Sequence, residues 1–519
     1  MARSPVSRCV AVGLLGMVAG LFGSSPVHSR QAAPRFGPAD RAVLRRYAED
    51  AWRSMDRLTL PSGLPSDRIH RKGNGWEAPV LETTPTNIAA YIWSVLAVER
   101  LEIIPHDEAR DRLARTMATL ERMNRPHGFF VNDIDPRNGD RLLVSPVDGA
   151  PRRPLLSSVD NAWMAVALMM VMNTQPEVGP AAAKLLEAMD FGFFYDSYDP
   201  ERPVQRPGLL RVGYWVDEQA FFGHYGMLNT EARIASYVAI ARGQLPPEQY
   251  YRMYRTLPTE VGPQYQTPTG DRREHLGVPV FEGAYVYEGT RIVPSWGGSM
   301  FEALMVSLFV PEETWAPQSW GVNHPLYVQA QIHHGMREME YGYWGFSPAF
   351  RPSGGYETYG VKALGTSPDG YLSYEVGWGV PMFLNVVTTR FVHGIVTPHA
   401  SFLALRFAPQ EAMANLDKLR TRFPIYSELG FQDSVNVTAG LTSGFVLSLD
   451  QGMILAALSN ELNDDFMHEA FTTGAVARVI RPLIADEEFT AGAPERFRRI
   501  LQTEAEFRFP RGARVRTSE

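Results

Sequence analysis

Four stretches of the chain place carboxylates where they could act on a glycosidic bond. LLSSVDNAWMAVAL brings Asp160 to the start of an apolar helical run, and HYGMLNTEARIASYVAIARGQLP sets Glu231 between Asn229 and Arg233. PSWGGSMFEALMVSLF carries Glu302 in an otherwise apolar face behind Trp296, and YSELGFQDSVN holds Asp433 in a late loop. Two carboxyl groups flanking an acetal are the means by which glycosidases cleave it: one protonates the departing oxygen, and the other activates a water or attacks the anomeric carbon. Each acid also has a plain structural reading. Asp160 and Glu231 stand where a helix start favours negative charge, Glu302, read as a substrate ligand, could equally be a buried acid paired to arginine, and aspartate is common in turns. The crowd of His224, Tyr225 and Arg233 around Glu231 points towards chemistry, because such neighbours can tune a carboxyl group and hold a sugar.

Other chemistries find less support. The single cysteine, Cys9, falls in the first thirty residues, so thiolate zinc sites and a cysteine nucleophile are not expected in the mature chain. His333 and His334 are adjacent and point different ways, and no HExxH, GxSxG, P-loop or dinucleotide fingerprint occurs in a fitting context. A net charge of -7 with scattered Lys and Arg gives no nucleic-acid footprint. The expected partner is an oligo- or polysaccharide, with no cofactor and no metal. Tyr225, Trp296 and Trp344 are the aromatic residues expected to offer stacking faces to it. Two rival readings stay open. One is a polysaccharide lyase using Tyr225, His224 and Asn229 to abstract a proton beside a uronate carboxylate; the other is a non-catalytic glycan-binding or polysaccharide-export accessory protein whose acids are only helix caps.

These residues need a frame. Arg3 and Arg8 precede the apolar run Val10 to Phe22, which reads as a secretory signal peptide over residues 1–29, too short for a comfortable membrane span. A secreted or periplasmic protein without stable membrane insertion follows. After a linker at 30–37, apolar residues recur at helical spacing about a dozen times between Ala42 and Phe471. The phrase GFFVNDIDP at Gly128 returns as GFFYDSYDP at Gly192 and, shortened, as GFQDSVN at Gly430. A repeated helix, glycine exit and acidic loop is what a ring of helical hairpins needs. The expected fold is therefore all-α, an (α/α)6 toroid over 38–500 with short β-hairpins and long loops on one rim, followed by a tail at 501–519. The Gly- and Pro-rich insertion from Thr256 to Pro294 reads as a loop over the mouth, and a two-domain split near Pro258 is the alternative.

From Thr86 to Leu458 the chain resembles the glycoamylase-like superfamily, on the strength of HYGMLNTEARIASYVAIARGQLPPEQYYRMYR, SWGGSMFEALMVSL and SSVDNAWMAVAL. That group contains the endo-β-1,2-glucanases of glycoside hydrolase family 144 and the cyclisation region of cyclic β-1,2-glucan synthases. The resemblance implies an (α/α)6 barrel acting on a β-linked glucan, with Glu231 as proton donor, Asp433 as the inverting base and Asp160 as a sugar ligand. Where the cyclisation regions carry a nucleophilic Glu after W-G-x-S, this chain reads WGFSPAFRP with Pro348. That departure favours inverting hydrolysis unless Glu357 or Asp369 has taken over.

Overall fold

The computed structural model describes residues 35–258, 264, 266–366 and 394–492. The expected signal peptide, most of the linker, the tail and Asp369 lie outside the described residues. The helices are α1 (Pro38–Leu58), α2 (Pro85–Arg100), α3 (His106–Arg122), α4 (Ser158–Thr174), α5 (Gly179–Glu187), α6 (Arg233–Ala241), α7 (Glu248–Arg252) and α8 (Met300–Leu304), then α9 (Glu312–Trp315), α10 (Trp320–His333), α11 (Pro398–Leu403), α12 (Pro409–Arg422), α13 (Ser448–Leu462), α14 (Phe466–Thr472) and α15 (Ala475–Ile484).

Their sequences sort them into two kinds. In α2, 14 of 16 residues are buried, whereas in α3 only 6 of 17 are, at the spacing of a one-sided apolar stripe. A helix apolar all round must be enclosed on every side, and α4 and α13 share that character. Their packing follows. α2 lies against α4 and α13, α4 against α6, and α11 against α8 and α13. The circuit closes where the Arg233 guanidinium of α6 donates to the Ala303 carbonyl of α8 at 3.0 Å. The striped helices stand outside it: α1 on α13 and α2, α3 on α2 and α5, α5 on α4, α7 on α6, α10 on α8, and α12 on α11. One contiguous apolar core runs through the circuit from Phe36 to Phe489 and includes Trp93, Trp163 and Phe309. Side chains of this size each stabilise the fold by about 1.5–3 kcal/mol when buried.

The N-terminal ends of the six circuit helices carry the polar residues. Thr86 opens α2, Asp160 α4, Glu302 α8, His399 α11 and Asp450 α13, and Glu231 lies in the turn just before α6. One rim of the circuit is thus lined with acids and their partners.

Three expectations need correction. The segment Thr256–Pro294 is not simply a loop. Thr269–His275, Val278–Tyr287 and Thr290–Ile292 form a three-stranded antiparallel sheet with Tyr285 and Tyr287 buried beneath it. Strand accounts for 16% of the described residues against 44% helix, so "all-α" understates the β content. Finally, the glycine of the repeated phrase does not play one part throughout. Gly128 has φ +85° and a Cβ there would sit 1.9 Å from the Ala188 carbonyl oxygen, and Gly430 has φ +71°. Gly192 instead lies inside the 3-10 turn Phe191–Phe194, where Asp190 Oδ1 accepts from its N–H at 2.9 Å. The first two copies pack on each other, Phe129 against Phe194 at 4.8 Å and against Phe191 at 5.3 Å between ring centroids.

Candidate active site

The apolar periodicity from Met227 predicts a helix that takes in Glu231, yet α6 begins only at Arg233. Tertiary hydrogen bonds hold the preceding residues out of it. Leu228 N–H donates to the Tyr254 carbonyl at 2.9 Å, Tyr254 N–H to that of Gly226 at 2.7 Å, and Asn229 Nδ2 to that of Val293 at 3.0 Å. Asn229, a residue type that suits a helix start, therefore spends its amide on Val293 and does not cap α6. Arg233 secures the turn by donating to the Thr230 carbonyl at 2.8 Å. So held, Glu231 turns its carboxylate to the Trp163 indole, which donates to Oε2 at 2.7 Å, while its own backbone N–H donates to Glu302 Oε2 at 3.1 Å.

Glu302 was a candidate for a buried acid paired to arginine. The nearby Arg233 instead makes a bidentate ion pair with Glu312, at 2.7 and 2.8 Å. Glu231 and Glu302 thus form a carboxyl pair in which burial, and then the charge of Glu302, pushes Glu231 well above the usual carboxylate range, while the Trp163 indole pulls the other way. Burial also pushes Glu302 up to about 7 against the Glu231 N–H and Arg233. A carboxylic acid that keeps its proton near neutrality is what a general acid requires.

Asp433 follows the short strand Gly430–Phe431 and is 1% exposed. Phe350 N–H, from the WGFSPAF segment, donates to Oδ2 at 2.6 Å, and no described residue donates to Oδ1. Burial and then the charge of Asp450 push Asp433 well above its usual range, Phe350 opposes this, and Asp67 adds to it. Tyr356 pairs with Phe350 across a two-stranded hairpin and stacks edge-on against it at 5.2 Å. Its phenol is raised by the protein around it, then by Asp433, Asp450, Asp67 and Glu231, although the residue is 51% exposed. The half-open phenol is thus within reach of the charges of both Asp433 and Glu231.

Asp160 lies on the same rim. Ser157 caps α4 by accepting from the Asp160 N–H at 3.3 Å, and the carboxylate accepts from Thr86 Oγ1 at 2.6 Å and Asn132 Nδ2 at 3.3 Å. Its charge reaches Glu231. Trp296, 38% exposed ahead of α8, presents an open ring. Trp344, at 3%, does not: its backbone is clasped by Asn415 and its ring belongs to the core, so it offers no stacking face. Tyr225 is half-buried, bridged to Leu210 and packed against the core. His224 is bound to Asp196 at 2.9 Å. Glu357 pairs with Ala349 and lies 3.7 Å from Arg351. Successive residues of a strand point to opposite faces, so Glu357 looks away from the side on which Tyr356 meets Phe350.

The structure adds partners that the sequence reading missed, and it shows a signal that could have found them. SVDN at the start of α4 is echoed by SLDQ at the start of α13, so Asp450 stands where Asp160 does. The next residue in each clasps a copy of the GF phrase: Asn161 exchanges two hydrogen bonds with the Phe130 backbone, at 2.8 and 3.0 Å, and Gln451 donates to the Phe431 carbonyl at 2.9 Å. Counted from the clasped phenylalanine, Asn132 of the first copy corresponds to Asp433 of the other. Asn132–Asp160 and Asp433–Asp450 are therefore the same construction written with different chemistry.

Comparison with known proteins accords with this frame. Residues 280–474 match the family described as "Putative glucoamylase", and residues 46–192 match a family of unknown function, DUF3131. The cyclic β-(1,2)-glucan synthase NdvB of Rhizobium meliloti (strain 1021) is 29% identical over 310 residues, which is 58% of this chain but only 9% of that protein. Among solved structures, the endo-β-1,2-glucanase of Chitinophaga pinensis, in complex with sophorotriose and glucose, superposes with TM-score 0.60 at 15% identity, over 86% of this chain and 98% of that one. A β-1,2-glucanase of Parabacteroides distasonis does so with TM-score 0.63 at 13% identity, over 87% and 61%. The chain has the fold of these proteins, and the glycoamylase-like resemblance read from its sequence holds.

Proposed function

We propose that the protein is a glycoside hydrolase that cleaves a β-linked glucan, β-1,2-glucan before others, by inversion on a six-hairpin (α/α)6 toroid. One observation carries the reading: Glu231, paired with Glu302, and Asp433, paired with Asp450, both act by charge on the half-exposed phenol of Tyr356, and no arginine or lysine is bonded to Glu231 or Asp433 among the described residues. In this reading Glu231 gives its proton to the leaving oxygen. Asp433 takes one from the attacking water, and Asp160 and Trp296 hold the sugar. No step calls on a cofactor or metal. The relatives named for β-1,2-glucan support that linkage before others, and the amino-terminal sequence supports export to the periplasm or beyond.

The lyase reading finds little support, since His224 is engaged by Asp196 and Asn229 is buried against Val293. The direct test is to incubate the protein with β-1,2-, β-1,3-, β-1,4- and β-1,6-glucans and follow the anomer first released by NMR. Inverted products from the β-1,2 polymer are expected. Retained products would remove Asp433 as base, and binding without turnover would favour a glycan-binding protein.

A further inference from the structure

Behind Asp433 lies a group of buried side chains that the acid and base roles leave unexplained. His399 is 2% exposed, Asp433 1% and Asp450 5%, and one nitrogen or carboxylate oxygen from each lies within 4.8 Å of those of the other two. His399 Nδ1 is 3.2 Å from Asp450 Oδ1, outside hydrogen-bond geometry. Both ring nitrogens of His399, Oδ1 of Asp433 and Oδ2 of Asp450 lack hydrogen-bond partners among the described residues. Four unsatisfied buried polar atoms in one place are costly and call for an explanation. Elsewhere on the rim the equivalent aspartate, Asp160, is satisfied by an amide and a hydroxyl.

We infer that Asp450 and His399 are positioning residues for the Asp433 base, Asp450 receiving the hydrogen bond of the proton that Asp433 takes from water and His399 packing beside the pair. The inference rests on the reading of Asp433 as base. In the step itself, the water oxygen bonds to the anomeric carbon and one water proton passes to Asp433. The bond from that carbon to the glycosidic oxygen breaks, and this oxygen receives the proton of Glu231. Exchange with solvent afterwards removes the proton from Asp433 and returns one to Glu231, for a net consumption of one water. Before the step, two carboxylates face each other without a cation bonded between them. After it, an acid donates to a carboxylate. The pair is thus better satisfied once the proton has left the water, and Asp450 strengthens Asp433 as a base. The other groups facing Asp433 are Asp67 ahead of α2 and Tyr356 from the hairpin, with Arg68 stacked 5.1 Å over the Phe350 ring.

The test compares Asp433→Asn, Asp450→Asn, His399→Gln and the double Asp433→Asn/Asp450→Asn variant in the full chain, with circular dichroism and Tm recorded from pH 4 to 8. On the glucan that the enzyme cleaves, Asp450→Asn is expected to lower kcat about 10- to 100-fold with KM little changed, and to move the acidic limb of the pH profile to lower pH because Asp433 loses a repelling neighbour. His399→Gln is expected to lower kcat less. The double variant is expected to be no slower than Asp433→Asn alone, as for residues acting as a unit. Without any substrate, Asp450→Asn is expected to raise Tm at pH 7 relative to pH 4. A dead Asp433→Asn beside an Asp450→Asn variant with unchanged kcat and acidic limb would overturn the inference alone, whereas a fully active Asp433→Asn would remove the base reading with it. Stoichiometric divalent metal in the purified protein, with activity lost to a chelator, would also overturn it, since the three side chains would then be ligands. If Asp450→Asn does not fold, the acidic limb in His399→Gln decides: a shift supports the inference and an unchanged limb overturns it.

Discussion

The two copies of the clasped GF phrase differ in one respect that matters. In the first, Asn132 donates an amide hydrogen to Asp160, whose other oxygen takes the Thr86 hydroxyl, so a single charge is held by two donors. In the second, Asp433 meets Asp450, and the same backbone construction confronts one carboxyl with another. A helix start, an aspartate at its third residue and a glycine-led loop are common to both, so the fold requires only that much. The acid at 433 is an addition that the fold does not need and that burial penalises. The same contrast recurs two residues from Glu231. Glu312 is buried and held down to about 2, despite its burial, by Arg233, helped by His324, and also accepts from Tyr237 at 2.8 Å; Glu231 and Glu302, with no such partner, are driven up. Buried acids with an arginine build this molecule, and the proposed chemistry falls on buried acids without one.

The largest effect should come from rewriting the second copy as the first. Asp433→Asn lets an amide donate to Asp450 as Asn132 does to Asp160, so the fold should be retained and Tm at pH 7 raised, while kcat on the cleaved glucan falls by about 10²- to 10⁴-fold, the usual contribution of a general base. A variant that lost stability instead would mean that the two copies are not equivalent. The converse change is smaller. Asn132→Asp creates a second carboxyl pair with Asp160 and should destabilise the protein by about 1–3 kcal/mol at pH 7, through repulsion and a lost donor. A pair of this kind raises its own carboxyl pKa, so the penalty should appear as pH rises and largely vanish at pH 4, which urea unfolding at the two pH values would read directly.

Much of this frame was legible beforehand. The apolar runs predict α2, α4 and α13 because inner helices are hydrophobic on every side, and of the four acids chosen from the sequence, Asp160 and Glu302 act by charge on Glu231, while Glu231 and Asp433 both act on Tyr356. What failed did so for physical reasons. The start of α6 was misplaced because Tyr254 and Val293, distant in sequence, take the backbone and Asn229 out of the helical pattern. Trp344 looked like a platform because aromatic type says nothing of which face is covered. Asp450 went unnoticed because a lone aspartate at a helix start reads as a cap, and only its match with SVDN, together with the clasp of Gln451 on Phe431, gives it meaning. Trp163 lay in plain view beside Asp160, but nothing local says that its indole reaches Glu231 in another helical unit.

The smallest effect sharpens the comparison at the other carboxyl pair. Glu302 is raised to about 7 and Glu231 well above its usual value, so both lose their protons at a higher pH in the folded chain than in the unfolded one. A carboxyl group shifted in that direction contributes stability that is complete below its unfolded value near 4.5 and is lost as pH rises through the folded value. Tm should therefore decline between pH 5 and 8, and activity should fall on an alkaline limb as Glu231 gives up the proton it must donate. Glu302→Gln keeps an acceptor for the Glu231 N–H and removes the charge. The Tm decline should flatten, and the alkaline limb should move down by about one pH unit, since burial and Asp160 still hold Glu231 up while its nearest repelling neighbour is gone. If the limb stays in place, the proton it reports does not belong to Glu231, and the two carboxyl pairs would not divide the work of acid and base between them.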